Sequence, residues 1–252
     1  MVSIADLERV TSLGWRAPEE VPLGEWVLRA AGGFTGRANS VLALGDPGLP
    51  VKAAVDYARD WYAERGLPTL VSVAYPVGQP DLSEVDRFLS DRGWPVLRGA
   101  VVMTAGPEFE FSPAESVEVT DEPDEGWLEL YRYRGERPPP VSRQLLRSAP
   151  WQAFGSIRLG GQTVAIGRVA VAAGWAGLTA VEVAPEYRRQ GLGRTITEAL
   201  AAAAISRGGL NGLYLQVDDA NSGARALYRQ IGFADHHAYH YRVAPAEPGR
   251  VP

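Results

Sequence analysis

The stretch Val181-Glu-Val-Ala-Pro-Glu-Tyr-Arg-Arg-Gln-Gly-Leu-Gly-Arg194 passes from an alternating apolar run, through a proline-bearing turn, into an alanine-rich segment ending near Ile205 and Ser206. That order predicts strand, turn and a helix over Gly191 to Ser206. The first turn of a helix leaves backbone N–H groups unpaired and partly positive, which makes it an anion site. Gly191 and Gly193 remove side chains that would hold phosphates away, and Arg188, Arg189 and Arg194 add charge-assisted donors. The bare pattern Arg-x-x-Gly-x-Gly/Ala is weak by itself in a chain with 28 glycines. Arg229-Gln-Ile-Gly-Phe-Ala234 also fits it, but that copy runs from a helix end into a strand, the wrong polarity for an anion.

Composition narrows what surrounds this segment. The 252 residues, 46% apolar and 22% charged, describe an ordinary globular chain large enough for two lobes. Without cysteine there is no disulfide, thiolate metal site or cysteine nucleophile. The only histidines, His236, His237 and His240, are clustered, so no metal is expected. A net charge of −5 is the wrong sign for general nucleic-acid or anionic-membrane binding. The acidic N-terminal residues are unlike a signal peptide, and no apolar run reaches membrane-spanning length, so a cytoplasmic protein is expected.

The chain reads as two similar halves. The first predicts a helix over Ile4 to Leu13, a strand pair at Trp26 to Leu28 and Ser40 to Leu44, and a helix from Pro50 to about Arg65. A strand Thr69 to Tyr75, a helix Leu82 to Leu89 and a strand Pro95 to Met103 complete it, the last placed to pair with the second half. From Ala105 to Ser116 the composition turns to Pro, Gly, Ser and Glu, and residues 107–116 read as a linker. The second half predicts a strand at Val117 to Val119, an acidic helix around Glu122 to Tyr131 and a short helix Val141 to Arg147. Three strands (Trp151 to Leu159, Thr163 to Val171, Gly177 to Val183) precede the helix at Gly191. A strand Gly212 to Val217, a helix Ala220 to Gln230, a strand Tyr239 to Val243 and a frayed tail 246–252 follow. Glu64-Arg-Gly-Leu-Pro-Thr-Leu-Val-Ser-Val73 aligns with Ser206-Arg-Gly-Gly-Leu-Asn-Gly-Leu-Tyr-Leu215, and Phe88-Leu-Ser-Asp-Arg-Gly-Trp94 with Leu227-Tyr-Arg-Gln-Ile-Gly-Phe233. The echo reads as an ancient duplication, with chance agreement among common helix–strand–helix units as its alternative.

Downstream of the strand Leu213-Tyr-Leu-Gln-Val217 comes Asn221-Ser-Gly-Ala-Arg-Ala-Leu-Tyr-Arg-Gln-Ile-Gly-Phe233. With the helix entrance at Gly191, this order and spacing resembles the GNAT superfamily of acetyl-CoA-dependent N-acetyltransferases over about Val117 to Val243. The first half resembles a degenerate copy of the same fold. The resemblance implies an α/β (α+β) tandem fold with a mixed, mostly antiparallel central sheet and flanking helices in each lobe. Its expected lobes are 1–106 and 117–245, the second catalytic. It further implies that Val181 and Val183 offer backbone hydrogen bonds to pantetheine and that Arg188, Arg189, Gln190, Gly191, Leu192, Gly193 and Arg194 form the pyrophosphate loop. Asn221 would contact the pantetheine arm, and Tyr228 would protonate the departing thiolate. The plainer reading of Tyr228 is a core aromatic on an amphipathic helix.

A general base is needed because an amine of pKa about 10.4 is roughly one part in two thousand neutral at pH 7, a barrier of about 4.6 kcal/mol. Glu182 is the candidate, and a cross-sheet pairing with an arginine is its alternative role. Glu186 reads as a solvated loop residue. His236 and His240 read as half-exposed strand residues, either within reach of the cleft. Trp15, Trp26, Trp61 and Trp94 read as core, while Trp151 and Trp175 are candidates for lining a pocket. The equivalent of the phosphate loop in the first half, Gly45-Asp-Pro-Gly-Leu-Pro50, has no arginine, two prolines and an aspartate, so only the second half is expected to bind CoA.

Together these readings predict acetyl transfer from acetyl-CoA, as co-substrate, to a primary amine of a small-molecule or peptide acceptor by direct attack in a ternary complex, in a monomer or homodimer. A CoA- or ligand-binding regulatory protein without turnover is the alternative.

Overall fold

The computed structural model describes residues 2–79, 83–108, 114, 116–133 and 135–245. Most of the linker, the tail 246–252 and the expected helix start at Leu82 lie outside them. The first half contains α1 (Ile4–Gly14), β1 (Glu19–Leu23), β2 (Trp26–Ala30), β3 (Val41–Leu42), α2 (Val51–Ala63), β4 (Leu70–Tyr75), α3 (Glu84–Ser90) and β5 (Val96–Ala105). The second contains β6 (Glu118–Thr120), α4 (Glu125–Leu130), α5 (Val141–Leu146), β7 (Trp151–Leu159), β8 (Gln162–Ala172), β9 (Trp175–Val183), α6 (Leu192–Ile205), β10 (Gly212–Asp218), α7 (Ser222–Gln230) and β11 (Ala234–Val243). Local chemistry sets the starts: Ser3, Ser83, Asp124 and Asn221 each accept a first-turn N–H of the helix they precede.

The two halves share one eleven-stranded sheet in the order β1-β2-β3-β4-β11-β5-β10-β9-β8-β7-β6. Each half thus gives its last strand to the other. β5 leaves the first half to pair with β10, and β11 leaves the second to pair with β4. The two exchanged strands pair with each other along most of their length. All pairings are antiparallel except β3 with β4 and β9 with β10, which occupy corresponding places in the two halves. The aligned Arg-Gly turns at Gly66 and Gly208 take φ values of 62° and 76°, and the Gly-aromatic turns at Gly93 and Gly232 take 72° and 98°. Those left-handed positions explain why glycine recurs there in both copies.

Alternation along the strands divides the core. Leu213, Leu215 and Val217 pack with Ile196 and Leu200 of α6, whereas Tyr214 packs with Leu7 of α1. On the first half, Val71 and Val73 meet Trp61 and Tyr62 of α2. Trp15, Phe34, Trp127 and Phe154 form a further cluster beneath α4 and α5. Trp15, Trp26, Trp61 and Trp94 are all buried, as expected.

Two readings change. β1 was not expected from Glu19-Glu-Val-Pro-Leu23, which is short and holds a proline; Val21 and Leu23 pack on the core from one face, and the strand forms the sheet's edge, where one strand neighbour suffices. β11 begins at Ala234, so the expected strand captures only its second part. The expected half-exposed histidines are only partly found. His237 and His240 are buried, against Glu8 (2.7 Å) and Asp86 (3.0 Å), and His236 alone keeps partial exposure. Neither His236 nor His240 lines the main cavity.

Candidate active site

β9 and β10 begin as a parallel pair and then part. Their ladder joins Gly212 to Leu215 with Trp175 to Leu178; beyond it β9 pairs only with β8, and β10 only with β5. A bulge drives the separation. Ala180 and Val181 together oppose Gly167, and Ala180 adopts φ +55°, an uncommon conformation for a residue with a Cβ. Gly167 is required opposite, because a Cβ there would lie 2.8 Å from Leu200 Cδ1. The gap opens into a cavity of about 520 Å³ that reaches from α7 to the loop after β2.

At the mouth of the gap, α6 starts at Gly191 with φ +84° and no side-chain cap. A Cβ at Gly191 would meet nothing within 4 Å. The first turn of α6 thus has no side-chain cap, and its N–H groups are left for another acceptor. Gly193 packs close to Val183 and Leu227, which ties the helix start to β9 and α7. Arg188, Arg189, Gln190 and Arg194 are exposed around it, and Leu192 packs on the core. Arg188 Nε donates to the Val183 carbonyl (3.1 Å), Gln190 to the Glu186 carbonyl (3.4 Å) and Arg194 to Glu198 (2.9 Å). Glu186 is exposed.

The corresponding loop of the first half is already filled. Glu25 accepts the Asp46 N–H (2.7 Å), and Asp46 accepts the Gly48 N–H (2.8 Å). Two carboxylates from the chain itself thus take up N–H donors of that loop.

Glu182 and Tyr228 border the gap from β9 and α7. Both line the cavity. Burial raises the Glu182 carboxyl above its ordinary value, against the pull of Arg188 and Arg132. It forms no ion pair among the described residues, so the cross-sheet pairing considered for it is not found. Tyr228 is pushed up to about 12, first by burial and then by Glu182. Its ring also packs edge-on with Phe233, at 6.1 Å between centroids, so the packing role and the cavity role coexist. Asn221 caps α7 by accepting the Ala224 N–H (3.0 Å) and lines the same cavity.

The far wall was not read from the sequence. It carries Arg37 and Tyr131, with Gln216 between the gap and Arg37. Arg37 follows a Gly-Gly turn and Tyr131 ends a short helix, and neither stands in a recognisable motif. Trp151 and Trp175 are not on the cavity; Trp151 lies under Arg207, and Trp175 borders a separate depression near Val2. Among the described residues no group of acidic, histidine or cysteine side chains has the clustering of a metal site, and no helix is long and apolar enough to cross a membrane.

A parallel strand pair that opens beside a glycine-bearing helix start defines a GNAT-type acetyltransferase, and comparison with known proteins agrees. The chain is 28% identical to an uncharacterized N-acetyltransferase, YobR, of Bacillus subtilis, covering 96% of this chain and 99% of that one. It is 31% identical to a probable histone acetyltransferase of Mycobacterium tuberculosis, covering 97% of this chain and 74% of that one. A GCN5-related N-acetyltransferase from Kribbella flavida shares the fold, with a TM-score of 0.71, 18% identity and 98% of each chain covered. A family model described as "Probable histone acetyltransferase Rv0428c C-terminal" matches residues 2–242, and the chain belongs to that family. It is an enzyme of the acyltransferase class.

Proposed function

We propose that this acetyltransferase moves the acetyl group of acetyl-CoA to a primary amine by direct attack. The observation that carries the reading is that Glu182 of β9 and Tyr228 of α7 line one cavity within electrostatic reach of each other. The open start of α6 fits a pyrophosphate, held by the N–H groups from Gln190 to Arg194 and by Arg188 and Arg189. The pantetheine arm would then run into the gap beside the Val181 and Val183 backbone and Asn221.

Glu182 accepts a proton from the amine, directly or through water, and its raised pKa brings it nearer to working pH as a base. The amine nitrogen bonds to the thioester carbon, the C–S bond breaks, Tyr228 passes its proton to the leaving sulfur, and the second proton leaving nitrogen restores the phenol. The raised Tyr228 pKa keeps the phenol protonated beforehand. Acetyl-CoA supplies the activated acyl group, and the chain supplies position and proton transfer. Lobes divided near 107–116 fit this scheme, with the first half walling the acceptor side. Small-molecule and peptide amines are both acceptors of suitable chemistry, and a monomer and a homodimer each leave the scheme unchanged.

The test is release of free thiol from acetyl-CoA against a panel of amines. Amine-dependent release supports transfer. Acetyl-CoA binding without release to any amine would favour the regulatory alternative.

A further inference from the structure

Arg37 is a cation on the cavity wall that no carboxylate among the described residues pairs with, although Glu8 lines a small adjoining depression with it. Among the described residues it forms one hydrogen bond, from Nη1 to Gln216 Oε1 at 2.5 Å, and no ion pair. It also lies over the Trp15 ring, 5.2 Å from the centroid. Arg188 and Arg194, by contrast, sit in open solvent at the far end of the gap. A half-buried guanidinium with donors to spare is poorly solvated, and a bound anion is what satisfies it.

The loop that carries Arg37 is built to hold it still. Asn39, itself buried, accepts the N–H groups of Ala31 and Gly33 (both 2.8 Å) and donates to the carbonyls of Phe34 (2.6 Å) and Thr35 (2.9 Å). Trp15 Nε1 bonds Thr35 Oγ1 at 3.0 Å, and Thr35 takes φ +61°. Gly36 leaves no room for a side chain, since a Cβ would meet the Tyr241 ring at 2.8 Å. Four side-chain bonds from one asparagine and a strained threonine are more than a surface turn needs. They brace the backbone that carries Arg37, while Gln216 and the Trp15 ring hold its guanidinium.

The surroundings of Arg37 reinforce its sign. Arg168, fully buried behind the same wall, is satisfied by carbonyls rather than by carboxylates: Leu146 at 2.7 Å and Gly14 at 3.2 Å. Glu182 stands at the gap, and the Tyr131 ring lies within electrostatic reach of both Arg37 and Glu182. The cavity therefore holds a carboxylate at the gap, within reach of Arg188 and Arg132, and a separate guanidinium, Arg37, on its first-half wall.

We propose that Arg37 binds a carboxylate of the acceptor, and that the acceptor is an amine carrying that carboxylate, with its amino group at Glu182. One fixed guanidinium matches the single negative charge of a carboxylate. Arg37 belongs to the half that has no phosphate loop, so on this reading the first half selects the acceptor. The proposal rests on the acetyl-transfer reading for the role of the bound amine, but the anion site itself does not depend on turnover.

The experiment uses the full chain, the common amino acids and their primary amides, and spermidine as an amine without a carboxylate. Thiol release from acetyl-CoA gives kcat and KM, and calorimetric titration of the same compounds in the presence of CoA gives binding. At least one amino acid should be used with kcat/KM tenfold or more above its amide. Arg37→Gln should raise KM for it about 10- to 100-fold with kcat within about threefold, and Arg37→Lys should restore part of the loss. Transfer to amides or spermidine as good as to acids, or an unchanged KM in Arg37→Gln, overturns the carboxylate site and leaves acetyl transfer standing. Amino-acid binding that is lost in Arg37→Gln, without any thiol release, keeps the site and overturns the transfer reading. Neither binding nor release for any amino acid overturns the proposal.

Discussion

Glu182 and Tyr228 are coupled across the gap between β9 and β10: the carboxylate adds to burial in pushing the phenol up to about 12. Burial raises both groups: the phenol keeps its proton for donation, and the carboxyl is moved nearer to working pH than a solvated glutamate, which suits a reaction that takes one proton and returns another. Neither residue's neighbours in sequence would bring them together. The strand exchange, the bulge at Ala180 and the cap at Asn221 do so.

Tyr228→Phe keeps the ring and its contact with Phe233 but removes the proton. Turnover should fall 10²- to 10⁴-fold, with acetyl-CoA affinity changed little. Steady-state kinetics beside calorimetry separates the two. Full turnover in the variant would reassign Tyr228 to packing.

Glu182 works as a base only when ionised, and burial raises its pKa above the ordinary carboxyl value. Activity should therefore fall as pH drops through that raised value, at a higher pH than for a solvated glutamate. Glu182→Gln should lower the rate and remove this acidic limb. A limb that persists in the variant belongs to another group.

Gly191→Asp places a side chain and a negative charge where the first-turn N–H groups of α6 point, at a φ of +84°. CoA affinity should drop tenfold or more, and Gly191→Ala, which adds only backbone strain, should lose less. Calorimetric titration measures both. Unchanged affinity in Gly191→Asp would remove the phosphate site from α6.

Strand exchange makes the halves interdependent. A fragment of residues 117–252 lacks β5, which separates β10 from β11 in the sheet. It leaves one edge of β10 and both edges of β11 unpaired. The fragment should aggregate or fail to unfold cooperatively. A soluble, cooperatively folded, active fragment would show that the second half closes on itself.

Asp86 fastens β11 to α3. Burial pushes its carboxyl up, but hydrogen bonds from Arg242 (2.7 Å) and His240 (3.0 Å) outweigh burial and hold it below the ordinary value. The stabilisation is present above the unfolded-state pKa and is lost as pH falls through the folded one. Asp86→Asn should cost about 3–5 kcal/mol by leaving Arg242 buried without its partner. It should also flatten the acid side of the stability profile. Chemical denaturation across pH reads both effects.

Much of this was legible in the sequence, for reasons that can be named. Segments with strong periodicity, such as α2, β7 and α6, carry their own signal, and the helix entrance at Gly191 carries polarity as well as glycine. The acid and prolines of the loop at Asp46 were legible as residues, although the hydrogen bond from its N–H to Glu25 was not. Strand partners were only partly legible: β5 was expected to meet the second half, but the insertion of β11 between β4 and β5 is a matter of long-range pairing. The burial of His237 depends on Glu8, far away in the chain. Arg37 was missed because its role comes from a loop braced by Asn39 and from the cavity it faces, neither of which has a local pattern.

The central claim is that this chain moves an acetyl group to an amine through Glu182 and Tyr228. The most direct measurement is mass-spectrometric quantification of N-acetylated amine against CoA formed, for the native chain and for the Glu182→Gln/Tyr228→Phe double variant. The account predicts one product per CoA in the native chain, and a double variant that still binds acetyl-CoA but forms almost no product. A double variant with native turnover, or a native chain that binds acetyl-CoA and acetylates no amine, would contradict it.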